Sequence, residues 1–100
     1  MDIGERVEII GEVYKDTIKP NIQTGRIKSA YEDIFDLSLA LLSQLNDFAQ
    51  FHSGISFVAS ACNLSDSLKR DNEVSYNHDM GWFEAYLAQI RLAIESGNKF

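Results

Sequence analysis

The stretch "IFDLSLALLSQL", residues 34–45, decides the fold. Its apolar residues recur at helical spacing on two faces: Ile34, Leu37, Leu41 and Leu45 on one, Phe35, Leu39 and Leu42 on the other. The middle of the run, Leu37-Ser38-Leu39-Ala40-Leu41, alternates as a strand would. Length decides against a strand, because strands seldom exceed about ten residues and no turn residue interrupts this run. A helix is therefore expected from about Arg26 to Phe51, with Thr24 as its N-cap. A helix that is apolar on most sides is buried on most sides. This second helix is expected at the centre of the fold or in a seam between two copies of the chain.

Working outward, the N-terminal segment repeats Ile3, Val7, Ile10, Val13, Tyr14 and Ile18 at helical spacing, which predicts a first helix over residues 2–18. Pro20 is expected to stop it, since a proline pushes the residue before it out of the helical region. A third helix is expected from Ser53-Gly54 to about Arg70, with Ile55, Val58, Cys62 and Leu68 able to face the core. A fourth is expected over Asp79–Ser96, capped by Asn77 or Asp79 and closed by Gly97, with Phe83, Leu87, Ile90 and Ile94 as its buried stripe. Short connections between four helices predict one all-α domain over residues 1–100, an antiparallel four-helix bundle with helix 2 central.

The net charge of -6 is unevenly spread. Residues 29–68 hold no lysine or arginine, so the middle of the chain would repel phosphates, and neither a nucleic acid nor an anionic membrane is an expected partner. No long apolar run predicts a membrane span. The early carboxylates Asp2, Glu5 and Glu8, with no apolar run beside them, predict no signal peptide. The lone Cys62 has no partner for an internal disulfide, which together with the missing signal suggests a cytoplasmic setting. Its neighbours Ala59, Ala61 and Leu64 make it a small core residue rather than a nucleophile.

The densest polar cluster is "KRDNEVSYNHDMGWF", residues 69–83. Arg70, Asp71, Glu73, Tyr76, His78 and Asp79 look like an active site, but they fall where helix 3 is expected to end and helix 4 to begin. They are read as an interhelical loop running through solvent. The spacing from Arg70 to His78 is similar to the Arg-x4-6-His motif of HEPN ribonucleases, although seven residues intervene here. His52, His78 and Cys62 lack the spacing of a zinc site. There is no phosphate loop and no nucleophile elbow, so no cofactor and no catalytic residue is expected.

The carboxylates carry the functional expectation. Glu5, Glu8, Glu12 and Asp16 recur along helix 1, and Glu32 and Asp36 lie on helix 2. Such a stripe speeds association with a basic partner. The pairs Glu5-x-x-Glu8 and Asp33-x-x-Asp36, with "YEDIFDLSLALL" and "EIIGEVYKDTI", locally resemble the two motifs of MazG-type nucleotide pyrophosphohydrolases. That resemblance covers about a quarter of the chain and implies carboxylates from two facing helices holding Mg²⁺. Asp33 stands where that family has glutamate, and Ile9 falls on a ligand position when the Gly-Glu pairs are aligned. The expected function is protein–protein binding of the inhibitor, immunity, anti-defence or adaptor type, through these carboxylates and a basic surface on the partner. A MazG-like enzyme and a self-associating structural subunit are the alternatives.

Self-association, most simply as a homodimer, is expected through Phe35, Leu39 and Leu42 of helix 2 or through the small polar stripe of helix 3. That stripe is Ser53, Ser56, Ser60, Asn63 and Ser67. Side chains this small let another helix approach closely.

Overall fold

The computed structural model describes residues 2–97. Every regular element is helical: α1 (Ile3–Val13), a π-helical turn (Tyr14–Ile18), α2 (Lys19–Gln23), α3 (Ile27–Ser43), α4 (Leu45–Ala49), α5 (Gly54–Lys69) and α6 (Glu73–Ser96). The molecule measures 38 × 21 × 21 Å and holds one continuous apolar core. Among the described residues no helix is long and apolar enough to cross a membrane.

Asp2 caps α1 by accepting a hydrogen bond from the Glu5 amide at 2.8 Å. The stripe Val7, Ile10, Tyr14 and Ile18 is buried as expected, whereas Val13 turns outward. Pro20 does not end the helix. The Lys19 amide reaches back to the Tyr14 carbonyl, five residues away, and this wider π turn lets the proline ring follow without the clash it would make in a regular helix. The actual stop is Gly25, at φ +79, which follows Thr24 in the left-handed position. There the Arg26 amide bonds Asn21 O at 2.8 Å and the Gly25 amide bonds Ile22 O. Thr24 is thus not the N-cap of the next helix; its hydroxyl donates to Pro20 O at 2.8 Å.

The expected helix 2 is broken. At Gln44 the backbone leaves helical geometry (φ -111, ψ 19), and a separate short helix, α4, follows from Leu45. The break brings Phe48 and Phe51 into the core, while Arg6 Nη1 holds it from outside by donating to Gln44 Oε1 and Asp47 Oδ2. Nor is helix 2 the centre. Only Ala30, Ile34, Ser38 and Leu41 of α3 are buried, and Phe35, Leu39 and Leu42 are 40, 50 and 47% exposed. The central helix is α5, which packs against α3, α4 and α6 and buries Phe57, Val58, Ala61, Leu64 and Leu68. Ile55, expected in the core, is exposed, and Cys62 is half-buried. Burial pushes the Cys62 thiol up from its ordinary pKa, which suits an inert side chain.

The π turn is tied to α6 by a polar cluster. The buried Tyr14 hydroxyl donates to Glu84 Oε2 at 2.6 Å, and Lys19 Nζ donates to Glu84 Oε1 at 3.2 Å. Burial, then the bond to the Glu84 carboxylate and its charge, raises the Tyr14 pKa well above the ordinary phenol value. A group whose pKa is raised by folding stabilises the fold below its unfolded pKa, here about 10, and that contribution is lost as pH rises further. Urea midpoints measured from pH 8 to pH 11 should therefore fall more steeply for the natural chain than for Tyr14→Phe. At pH 7 the phenylalanine variant should be less stable by about 1 kcal/mol, since the half-exposed Glu84 keeps water and Lys19 as partners.

Candidate functional site

Residues 73–83 are not a loop. The connection between α5 and α6 is three residues long, Arg70-Asp71-Asn72. Asp71 takes the left-handed position (φ +53), the Asn72 amide bonds Ser67 O and the Asp71 amide bonds Leu68 O, which closes α5 in a Schellman motif. Asn72 then caps α6 through its side chain, accepting from the Ser75 amide at 3.1 Å. Neither Asn77 nor Asp79 is the cap. The helix begins two turns earlier than expected, and Tyr76 and Met80 extend the buried stripe of Phe83, Leu87 and Ile90.

This extension places His78, Asp79, Trp82 and Tyr86 on one face of α6, opposite the small polar stripe of α5. The helix that the stripe admits is α6 of the same chain. Ser67 Oγ donates to Asp79 Oδ2, and Ser53 Oγ donates to Gln89 Oε1 at 2.8 Å. Ser60 is buried, and its hydroxyl donates to Phe57 O at 2.7 Å. Of the residues expected at a seam on this helix, Ser56 is half-buried and Asn63 exposed.

Between the two helices lies an open groove of about 360 Å³, with Ser56, Ala59, Ser60 and Asn63 on one side and His78, Asp79, Trp82 and Tyr86 on the other. Trp82 and Tyr86 stack with ring centres 5.8 Å apart and planes at 22°. Trp82 Nε1 donates to His78 Nε2 at 2.9 Å. Among the described residues no lysine or arginine lines the groove, since residues 71–90 hold none, just as residues 29–68 hold none.

The carboxylate stripe of helix 1 is on the surface. Glu5, Glu8 and Glu12 of α1 and Asp16 of the π turn are all exposed, as are Glu32 and Asp36 of α3. Arg91 on α6 lies against the helix 1 side, with Nε 3.4 Å from Glu8 Oε1 and its guanidinium over the bare Cα of Gly11. The other five carboxylates form no ion pair among the described residues. They also do not assemble into a metal site. Among the described residues no three Asp, Glu, His or Cys side chains come together so as to hold a metal ion, so Glu5, Glu8, Asp33 and Asp36 do not make the facing set that the pyrophosphohydrolase resemblance implies.

The exposed Phe35, Leu39 and Leu42 form an i, i+4, i+7 stripe on α3, and Tyr31 extends it, its ring tilted against Phe35 with centres 5.6 Å apart. No protein-family model matches the chain, and no curated protein and no solved structure matches it either.

Proposed function

We propose that this chain acts by binding another protein, as an inhibitor, immunity, anti-defence or adaptor protein of the cytoplasm, and that it docks an acidic face on a basic partner surface. The observation that carries this reading is the row Glu5, Glu12 and Asp16, which stands exposed and without ion pairs among the described residues in a chain of net charge -6. Glu12 and Asp16 are four apart, and like charges at that spacing on a helix repel by a few tenths of a kcal/mol. A basic partner relieves that repulsion and is drawn in faster by it. The scaffold in this reading is an antiparallel four-helix bundle in which the first rod, α1 with its π turn and α2, presents the row. Capture with tagged protein from the native host tests it: the partner should be retained at low salt and lost above about 0.5 M salt, where charges are screened within a few ångströms. A partner retained equally at both salts would show that the acidic face is not what binds.

Self-association is the second part of the reading, supported by the exposed stripe on α3. Monomers seldom expose an apolar patch larger than a few hundred Å², and two-fold pairing lets one stripe cover its own copy. Sedimentation equilibrium at tens of micromolar should give twice the chain mass of 11.3 kDa, and Leu39→Glu should return it to 11.3 kDa with helicity unchanged. A mass of 11.3 kDa for the natural chain would leave the stripe solvated and the dimer without support.

A further inference from the structure

We infer that the groove between α5 and α6 receives an arginine side chain of the basic partner, with the guanidinium lying on the Trp82–Tyr86 stack and pairing with Asp79. This rests on the reading above that the partner is basic. Three observations specify the occupant. The groove is about 360 Å³ and open, enough to admit one long side chain from the surface. One wall carries two stacked aromatic rings inclined by 22°, with Trp82 49% exposed, and a flat cation stacks on an exposed aromatic face. Beside the rings stands the only carboxylate of the lining, Asp79, which takes the Ser67 hydroxyl on Oδ2 and has no cation partner among the described residues.

A planar guanidinium answers this arrangement better than an ammonium, because it can stack and present an edge of N–H donors at the same time. Asn63 on α5 offers a carboxamide oxygen to the donors that Asp79 leaves over. The bond from Trp82 to His78 Nε2 keeps the indole oriented. The small residues Ser56 and Ala59 keep the opposite wall low, so an arginine can enter from the side.

Trp82 is the sole tryptophan of the chain, so its fluorescence reports on the groove directly. The probe is a capped tri-arginine peptide, with the tri-citrulline peptide, equal in shape and uncharged, as control. Tri-arginine should change Trp82 emission saturably, tri-citrulline should not, and Asp79→Asn should weaken the change at least ~10-fold while circular dichroism stays helical. An emission change that is absent, that tri-citrulline reproduces, or that survives in Asp79→Asn overturns the inference. Calorimetry separates this failure from failure of the acidic-docking reading. Heat of tri-arginine binding lost in Glu12→Gln/Asp16→Asn and kept in Asp79→Asn leaves acidic docking standing and removes the groove. No heat at all with any variant removes both.

Discussion

Replacing Phe57 by alanine is expected to cost about 3–5 kcal/mol, the usual range for a fully buried phenylalanine. Phe57 is wholly buried on the central helix. Its ring lies 5.7 Å from Phe48 of α4 and 5.4 Å from Phe83 of α6, and Phe83 in turn lies 4.8 Å from Tyr14 of the π turn. One ring therefore joins three elements, and its loss opens a cavity whose walls are held by different helices and cannot close together. A domain of this size has about 5–15 kcal/mol in all, so the variant should be largely unfolded in mild urea. Phe57→Leu, which refills most of the space, should lose less than half as much. Val74→Ala at an 82% exposed site is the control and should lie within about 0.5 kcal/mol of the natural chain. Urea midpoints for the three variants check the order. A Phe57→Ala chain as stable as the Val74→Ala control would mean that α5 is not the core helix.

The position of α5 was the least legible part of the fold. Periodicity named Val58 and Leu68 but put Ile55 inside, and Ile55 is 57% exposed. The serines at positions 60, 65 and 67 hide the reason: they are buried, so α5 is enclosed on faces that a polarity pattern assigns to solvent. The all-apolar look of residues 34–45 suggested the opposite error, because surplus leucines on α3 face outward instead of inward. What periodicity read well was the stripe of α1 through Ile18 and that of α6 from Phe83 to Ile90, where large side chains sit at strict spacing and little else competes.

The candidate groove was hidden by one misplaced boundary. Reading the start of helix 4 at Asn77 or Asp79 left His78 and Asp79 at its mouth and hid their common face with Trp82. The sequence did carry the signal: Tyr76, Met80, Phe83, Leu87 and Ile90 form one run spaced 4, 3, 4, 3, and Asn72 followed by Glu73 is an N-terminal signature. Pro20 misled for a different reason. A π turn depends on backbone bonds five residues apart, which no side-chain pattern announces, whereas Gly25 marked the real end openly.

The second large effect is expected at Gly54, and here the sign of the change is itself informative. Gly54 opens α5, and by helix preference alone alanine there should gain up to about 1 kcal/mol over glycine. The structure forbids it. A Cβ on Gly54 would stand 1.7 Å from the Phe48 carbonyl oxygen and 2.6 Å from its carbon, both main-chain atoms of α4. Backbone cannot swing aside as a side chain can, so α4 must move off α5 and drag Phe48 out of the aromatic core. The expected loss for Gly54→Ala is about 3 kcal/mol, at the upper end of what overpacking costs. Gly11→Ala is the matched comparison. Its Cβ would meet Arg91 Nη2 at 2.0 Å, a closeness that looks just as forbidding, but every atom in the way belongs to the end of one flexible side chain. Arg91 can turn into solvent at the cost of a weak, exposed pair with Glu8, and the helical gain of alanine offsets that. Gly11→Ala should therefore stay within about 1 kcal/mol of the natural chain. Thermal or urea unfolding of the two variants side by side decides the matter. If Gly54→Ala were the more stable of the two, the close seat of α4 on the start of α5 would be wrong, and with it the route by which Phe48 enters the core.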